Sequence, residues 1–164
     1  MTKVFIDGSQ GTTGLKIFDR LKKRDDIELI TVPDELRKDA AARKQAICDA
    51  DIAFLCLPDA AAIEAANLAS DCDTVIIDTS TAHRTSDGWT YGFPEIFENG
   101  FEKISSSKRI ASPGCYASGF IALVKPLIDN NIVSPDCNFY CHAMSGYSGA
   151  GKKGIALMKM TKFP

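Results

Sequence analysis

Two rhythms of apolar residues alternate along the first 80 positions. Residues 3–7, 27–32, 51–57 and 74–78 are short, near-continuous apolar runs rich in Val, Ile, Leu and Phe. Runs of that length and composition predict strands of a parallel sheet covered on both faces. Between the first two runs, Leu15, Phe18 and Leu21 mark one side of a helix reaching about Lys23, and residues 40–49 and 60–68 read as helices as well. Strand alternating with helix predicts an α/β fold, a Rossmann-like doubly wound parallel sheet, whose ligands bind beyond the carboxyl ends of the strands.

The rest of the chain is less regular. Residues 87–95 are turn-rich and aromatic, and residues 104–110 carry the chain back across. Phe120, Leu123, Val124 and Leu127 stand at i, i+3, i+4 and i+7 and predict a helix. Asn130, Asn131 and Pro135 break it. Residues 138–144 read as a strand opening a second domain, and a further helix is expected from near Lys152. The expected division is a dinucleotide-binding domain over 1–114 and, over 115–164, the start of an α+β substrate and dimerisation domain.

Composition narrows the function classes. The 164 residues are 45% hydrophobic and 24% charged, with a net charge of −2, so nothing favours nucleic acid or an anionic membrane surface as a partner. No apolar run reaches the roughly 18 residues of a membrane span, and the first residues read as strand and not as signal peptide. The expected location is the cytoplasm. There the six cysteines, Cys48, Cys56, Cys72, Cys115, Cys137 and Cys141, should remain thiols. Cys137, Cys141 and His142 are close in sequence, but a fourth ligand at suitable spacing is missing, so no metal site is expected.

Candidate chemistry begins at Gly8-Ser9-Gln10-Gly11-Thr12-Thr13-Gly14, between the first strand and the first helix. Glycines there let the backbone turn tightly and approach a pyrophosphate resting on the helix N-terminus. After the second strand come Asp34 and Glu35, then Arg37 and Lys38. An acid there suits the ribose 2′-OH of NAD, whereas a base suits the 2′-phosphate of NADP; both signs are present. His83 and Arg84 follow the fourth strand, and Arg84 is either an anion contact or an exposed loop arginine. Cys115 lies behind Pro113-Gly114 and just ahead of the helical run. A helix N-terminus favours a thiolate, the form that attacks an acyl carbon. The alternative is a small buried cysteine with no chemistry. Residues 145–153, rich in small residues and ending in Lys152 and Lys153, suit an anion.

Taken together, the glycine turn, the 78–84 loop, Tyr91-Gly92-Phe93-Pro94-Glu95, the Ser112-Pro113-Gly114-Cys115-Tyr116 turn and the Ser145–Lys153 loop resemble N-acetyl-γ-glutamyl-phosphate reductase in the shorter of its two forms. The resemblance implies an NADP-dependent reductase of arginine biosynthesis acting on a small acyl phosphate. It implies Cys115 as nucleophile, and Gly8, Gly11, Thr12, Thr13 and Gly14 as the cofactor loop. Arg37 and Lys38 are suggested as 2′-phosphate contacts, with Arg84, Lys152 and Lys153 toward phosphate or carboxylate groups. It further implies that the chain corresponds to the N-terminal half of such an enzyme, a homo-oligomer when full length. The family's acid/base histidine would then lie outside this sequence, and nothing in the family pattern makes His142 that base.

Overall fold

In the computed structural model, described for residues 1–144, 146, 149, 156, 157 and 159, six parallel strands form one sheet in the order β2-β1-β3-β4-β6-β5. The strands are β1 (Thr2–Asp7), β2 (Ile27–Ile30), β3 (Ile52–Leu55), β4 (Val75–Asp78), β5 (Thr90–Tyr91) and β6 (Arg109–Ala111). The helices are α1 (Thr12–Leu21), α2 (Ala40–Cys48), α3 (Asp59–Leu68), α4 (Gly100–Ser105) and α5 (Cys115–Asp129). The doubly wound parallel sheet expected from the apolar runs is therefore present. The direction in which successive strands are added reverses at β1, which lies between β2 and β3. Right-handed crossovers then put α1 on one face and α2 and α3 on the other. The carboxyl ends of β1 and β3 flank the reversal, where ligands of such sheets bind.

The two faces are not covered alike. Ala53, Leu55 and Ile76 are fully buried against Ala46, Ile47, Ala65 and Ala69 of the α2–α3 layer and its ends. Their alternating neighbours Ile52, Phe54, Val75 and Ile77 are only half-buried. This corrects the expectation of two covered faces. Leu15 of the predicted apolar stripe on α1 is likewise 52% exposed, and the buried residue of that helix is Gly14.

Three other expectations change. Gly100–Ser105 form a short helix, α4, whose largest apolar side chain, Phe101, faces solvent; so short a helix has no apolar stripe to read. Residues 138–144 form no strand. No strand among the described residues pairs with them, and an isolated strand cannot satisfy its backbone groups. Finally, Cys48 and Cys72 are not free thiols but a disulfide, with a Cα separation of 5.1 Å. The end of α2 and the turn after α3 lie side by side, which composition could not reveal. The bond closes a loop with a sequence separation of 24. Cys72→Ser is expected to lower stability by roughly 3 kcal/mol in oxidising buffer, the value chain entropy gives for such a loop. Thermal melts with and without dithiothreitol test this: the gap between variant and parent should close under reductant.

Two compact units, Met1–Ser118 and Gly119–Pro164, make up the chain. In the second, α5 ends where Asn131 adopts φ 56° and the Ile132 amide donates back to the Leu127 carbonyl at 2.8 Å, a C-terminal cap that asparagine tolerates. Phe120 and Phe139 meet edge to face there, 5.9 Å between centroids. No helix among the described residues is long and apolar enough to cross a membrane.

Candidate active site

The glycine turn is built by close backbone approach. Gly8 has φ 84°, and a Cβ there would strike the Cys56 carbonyl oxygen just past β3. A Cβ on Gly14 would strike the Gly8 carbonyl oxygen, which already accepts the Gly11 amide at 2.9 Å. Gly11 is the N-cap of α1 and provides no side chain to cap it, and the first turn, with Thr12 and Thr13 exposed, holds no acid. The positive end of the helix is thus left for an anion. A cavity of about 330 Å³ opens here, lined by Gly8, Ser9, Gln10, Asp34, Arg37 and Arg43 among others. A dinucleotide's diphosphate fits this combination of uncapped helix and Cβ-free turn.

Of the two bases expected after β2, only Arg37 borders the cavity; Lys38 is exposed and does not line it. Arg37 pairs with Asp34 at 2.6 Å, and its buried Nε has no hydrogen-bond partner among the described residues. The acid and the base left open by the sequence therefore occupy one ion pair on the cavity wall. Beneath them lies a pair that the sequence reading missed. Asp7, the last residue of β1, accepts from Arg43 Nε at 3.0 Å, and Arg43 Nη1 donates to Glu64 at 3.2 Å. Arg43 stands at i with Ala46, Ile47 and Ala50 at i+3, i+4 and i+7, all buried. An arginine on the apolar stripe of a helix was the legible signal.

The loop after β4 is locked from beneath. Asp78, fully buried, accepts from the Ser80 amide at 2.9 Å and hydroxyl at 2.6 Å and meets His83 Nδ1 at 2.7 Å. His83 stacks on Trp89 with 3.9 Å between ring centroids. Thr81 donates through its hydroxyl and amide to Asp59 at the start of α3, and these bonds hold the Asp59 carboxyl below its ordinary range. The loop so fixed delivers Arg84 to the cysteine turn. Arg84 Nε donates to the Ser112 carbonyl at 3.1 Å, and a Cβ on Gly114 would lie 2.5 Å from Arg84 Nη1. Gly114 thus leaves room for the guanidinium next to Cys115.

Cys115 is exposed and opens α5. The Ser118 amide and hydroxyl both donate to the Gly114 carbonyl at 2.8 Å. Among the described residues, Arg84 lies against Gly114, the residue before Cys115, whereas His142, exposed, belongs to the other unit. Lys152 and Lys153 lie outside the described residues. The half-buried thiol of Cys56 is pushed up to about 11 by desolvation, so it stays protonated at neutral pH and is no competing nucleophile.

Comparison with known proteins agrees with this architecture. A model described as the NAD-binding domain of semialdehyde dehydrogenase matches residues 34–104, and one for the dimerisation domain of the same enzymes matches 115–163. Among solved structures, aspartate semialdehyde dehydrogenase II from Vibrio cholerae superposes with a TM-score of 0.62 at 18% identity, covering 100% of this chain and 54% of that one. The enzyme from Candida albicans, solved with NADP, gives 0.55 at 15% identity over 79% of this chain and 47% of that one. These matches define the fold class, an α/β protein with the fold of the semialdehyde dehydrogenases and a nicotinamide-dinucleotide-binding domain. N-acetyl-γ-glutamyl-phosphate reductase 2 from Nostoc is 49% identical over 153 residues, 93% of this chain and 48% of that protein. The Pseudomonas putida protein of the same name is 49% identical over 152 residues, 93% and 49% respectively. The chain is thus similar over most of its length to the N-acetyl-γ-glutamyl-phosphate reductases, and the two semialdehyde dehydrogenase domain models match it one after the other. It spans about half the length of the curated relatives it matches.

Proposed function

We propose that the chain carries the cofactor site and the nucleophile of an NADP-dependent reductase. The reaction is conversion of N-acetylglutamyl 5-phosphate to N-acetylglutamate 5-semialdehyde and phosphate. The 49% identity to reductases of that name over 93% of the chain carries the reading. Residues 1–114 serve as the dinucleotide domain, and residues from 115 begin the substrate and dimerisation domain of a homo-oligomer.

In this mechanism Cys115 sulfur attacks the acyl carbon, the carbon–oxygen bond to phosphate breaks, and phosphate leaves with the electron pair. Amides in the first turn of α5 steady the oxyanion, at about 3 kcal/mol per well-placed donor. Arg84 holds substrate phosphate or carboxylate beside the sulfur; Lys152 and Lys153 are proposed as further anion contacts from the sequence resemblance alone. A nicotinamide held there would supply the hydride that reduces the resulting thioester, and cleavage of the carbon–sulfur bond in the thiohemiacetal so formed would release the semialdehyde and return the Cys115 thiolate. On the cofactor side, Gly8, Gly11, Thr12, Thr13 and Gly14 receive the diphosphate. Arg37 takes the 2′-phosphate by releasing Asp34, with Lys38 a second, more distant cation.

The test is phosphate-dependent oxidation of N-acetylglutamate semialdehyde, followed as NADPH absorbance, beside titrations with NADPH and NADH. Expected is a preference for NADPH of tenfold or more that Arg37→Ala largely removes. Oxidation of aspartate semialdehyde in place of the acetylated substrate would reassign the substrate. The half-length of the match favours one second reading, a dinucleotide-binding module without turnover. NADPH binding with no oxidation of either semialdehyde would establish it.

A further inference from the structure

We propose that Arg43 is a positioning residue of the dinucleotide site: it neutralises Asp7 so that an anionic diphosphate can settle on the Gly8–Gly14 turn. The inference rests on the reading of that turn as a nicotinamide-dinucleotide site.

Asp7 is joined directly to Gly8, and its side chain is 7% exposed. Its carboxyl is pushed above the ordinary range by burial, with the Arg43 charge and hydrogen bond, and the Gly8 amide, pulling the other way. A buried carboxylate at the base of a phosphate cradle opposes the ligand twice. It is costly to bury when unpaired, and it repels phosphate across a medium that screens poorly. Arg43 answers both. Its side chain is 8% exposed, Nε donates to Asp7 Oδ2 at 3.0 Å, and Nη2 approaches the same oxygen within 2.9 Å, though off the hydrogen-bond axis.

The other groups around the pair do not replace it. Glu64 on α3 adds a second negative charge, 3.2 Å from Arg43 Nη1, and is more than half exposed. Cys56 beyond β3 is a neutral thiol. Arg37 on the same cavity wall is engaged by Asp34. Asp7, Glu64 and Arg43 sum to −1 with the arginine and to −2 without it, and the charge lost is the one in contact with Asp7. Both Asp7 and Arg43 line the cavity of the glycine turn.

The test measures binding of NADP+ to the 164-residue chain at pH 8.5 and pH 5.5, as the ratio of variant to parent Kd so that titration of the ligand cancels. Arg43→Gln should weaken binding tenfold or more at pH 8.5. The ratio should fall toward one at pH 5.5, because losing Arg43 raises Asp7 further and the acid then protonates. Asp7→Asn/Arg43→Gln, which removes both charges, should bind within threefold of the parent at both pH values. A double variant that is folded by circular dichroism yet as weak as the single would overturn the proposal, as would a single variant that binds normally. Should Arg43→Gln fail to fold, the double variant decides alone. Inorganic pyrophosphate is titrated in parallel. A parent chain that binds pyrophosphate but not NADP+ would remove the nicotinamide reading, while the same variant series read with pyrophosphate would still decide the role of Arg43.

Discussion

Replacing Cys115 with serine is expected to reduce acyl-phosphate chemistry at least roughly 10³-fold, the scale on which loss of a covalent nucleophile is felt. A serine hydroxyl is far less acidic than a thiol and needs a base to activate it, whereas a thiol reacts as thiolate without one. Two readouts belong together. One is oxidation of N-acetylglutamate semialdehyde with NADP+ and phosphate. The other is the mass of the protein after brief exposure to the acyl phosphate. The parent should carry one acyl group, and Cys115→Ser none. The remaining thiols make the second readout decisive. Cys56 is held protonated by burial, Cys48 and Cys72 are bonded to each other, and Cys137 and Cys141 are exposed but belong to the other unit. An acyl group that persists on Cys115→Ser would transfer the nucleophile's role to one of those two.

The legible parts of this molecule are those where one local signal suffices. Four apolar runs gave four strands, and a glycine triplet between strand and helix marked the turn where Gly8 and Gly14 have no room for a Cβ. Hidden parts needed a partner far along the chain. Asp7 and Arg43 are 36 positions apart, and neither is unusual until the sheet and α2 bring them together. Cys48 and Cys72 meet for the same reason. Arg84 was legible as a residue but not as a neighbour of Gly114, a contact made by the fixing of the 79–84 loop through Asp78 and Asp59. The strand expected over 138–144 shows the converse failure: local composition marks a chain able to be a strand, while a ladder partner decides whether it is one. Among the four groups that line or brace the cavity, Asp34 and Arg37 were read with both signs open. Their ion pair explains why sequence could not choose, since in this structure each occupies the other.

Gly8→Ala is expected to destabilise the chain by at least about 3 kcal/mol and to abolish NADP+ binding, whereas Gly88→Ala should cost only about 1–2 kcal/mol and leave binding intact. Both glycines have positive φ, 84° and 79°, so both substitutions meet the same backbone penalty. They differ in surroundings. A Cβ at Gly8 is driven into the Cys56 carbonyl and within 3.2 Å of Leu57 Cδ2, while a Cβ at Gly88 meets nothing within 4 Å. The Cys56 carbonyl cannot retreat cheaply, because the Cys56 amide is bonded to the Asp7 carbonyl at 2.8 Å and ties the ends of β1 and β3 together. The difference between the two variants therefore isolates the close approach of strand ends on which the phosphate cradle depends. Urea unfolding of both, each with and without NADP+, measures it. Equal losses would mean that the turn has slack at Gly8 and that its glycine serves φ alone. An excess loss at Gly8, with ligand no longer stabilising the variant, would tie the geometry of the reversal between β1 and β3 to the binding of the cofactor.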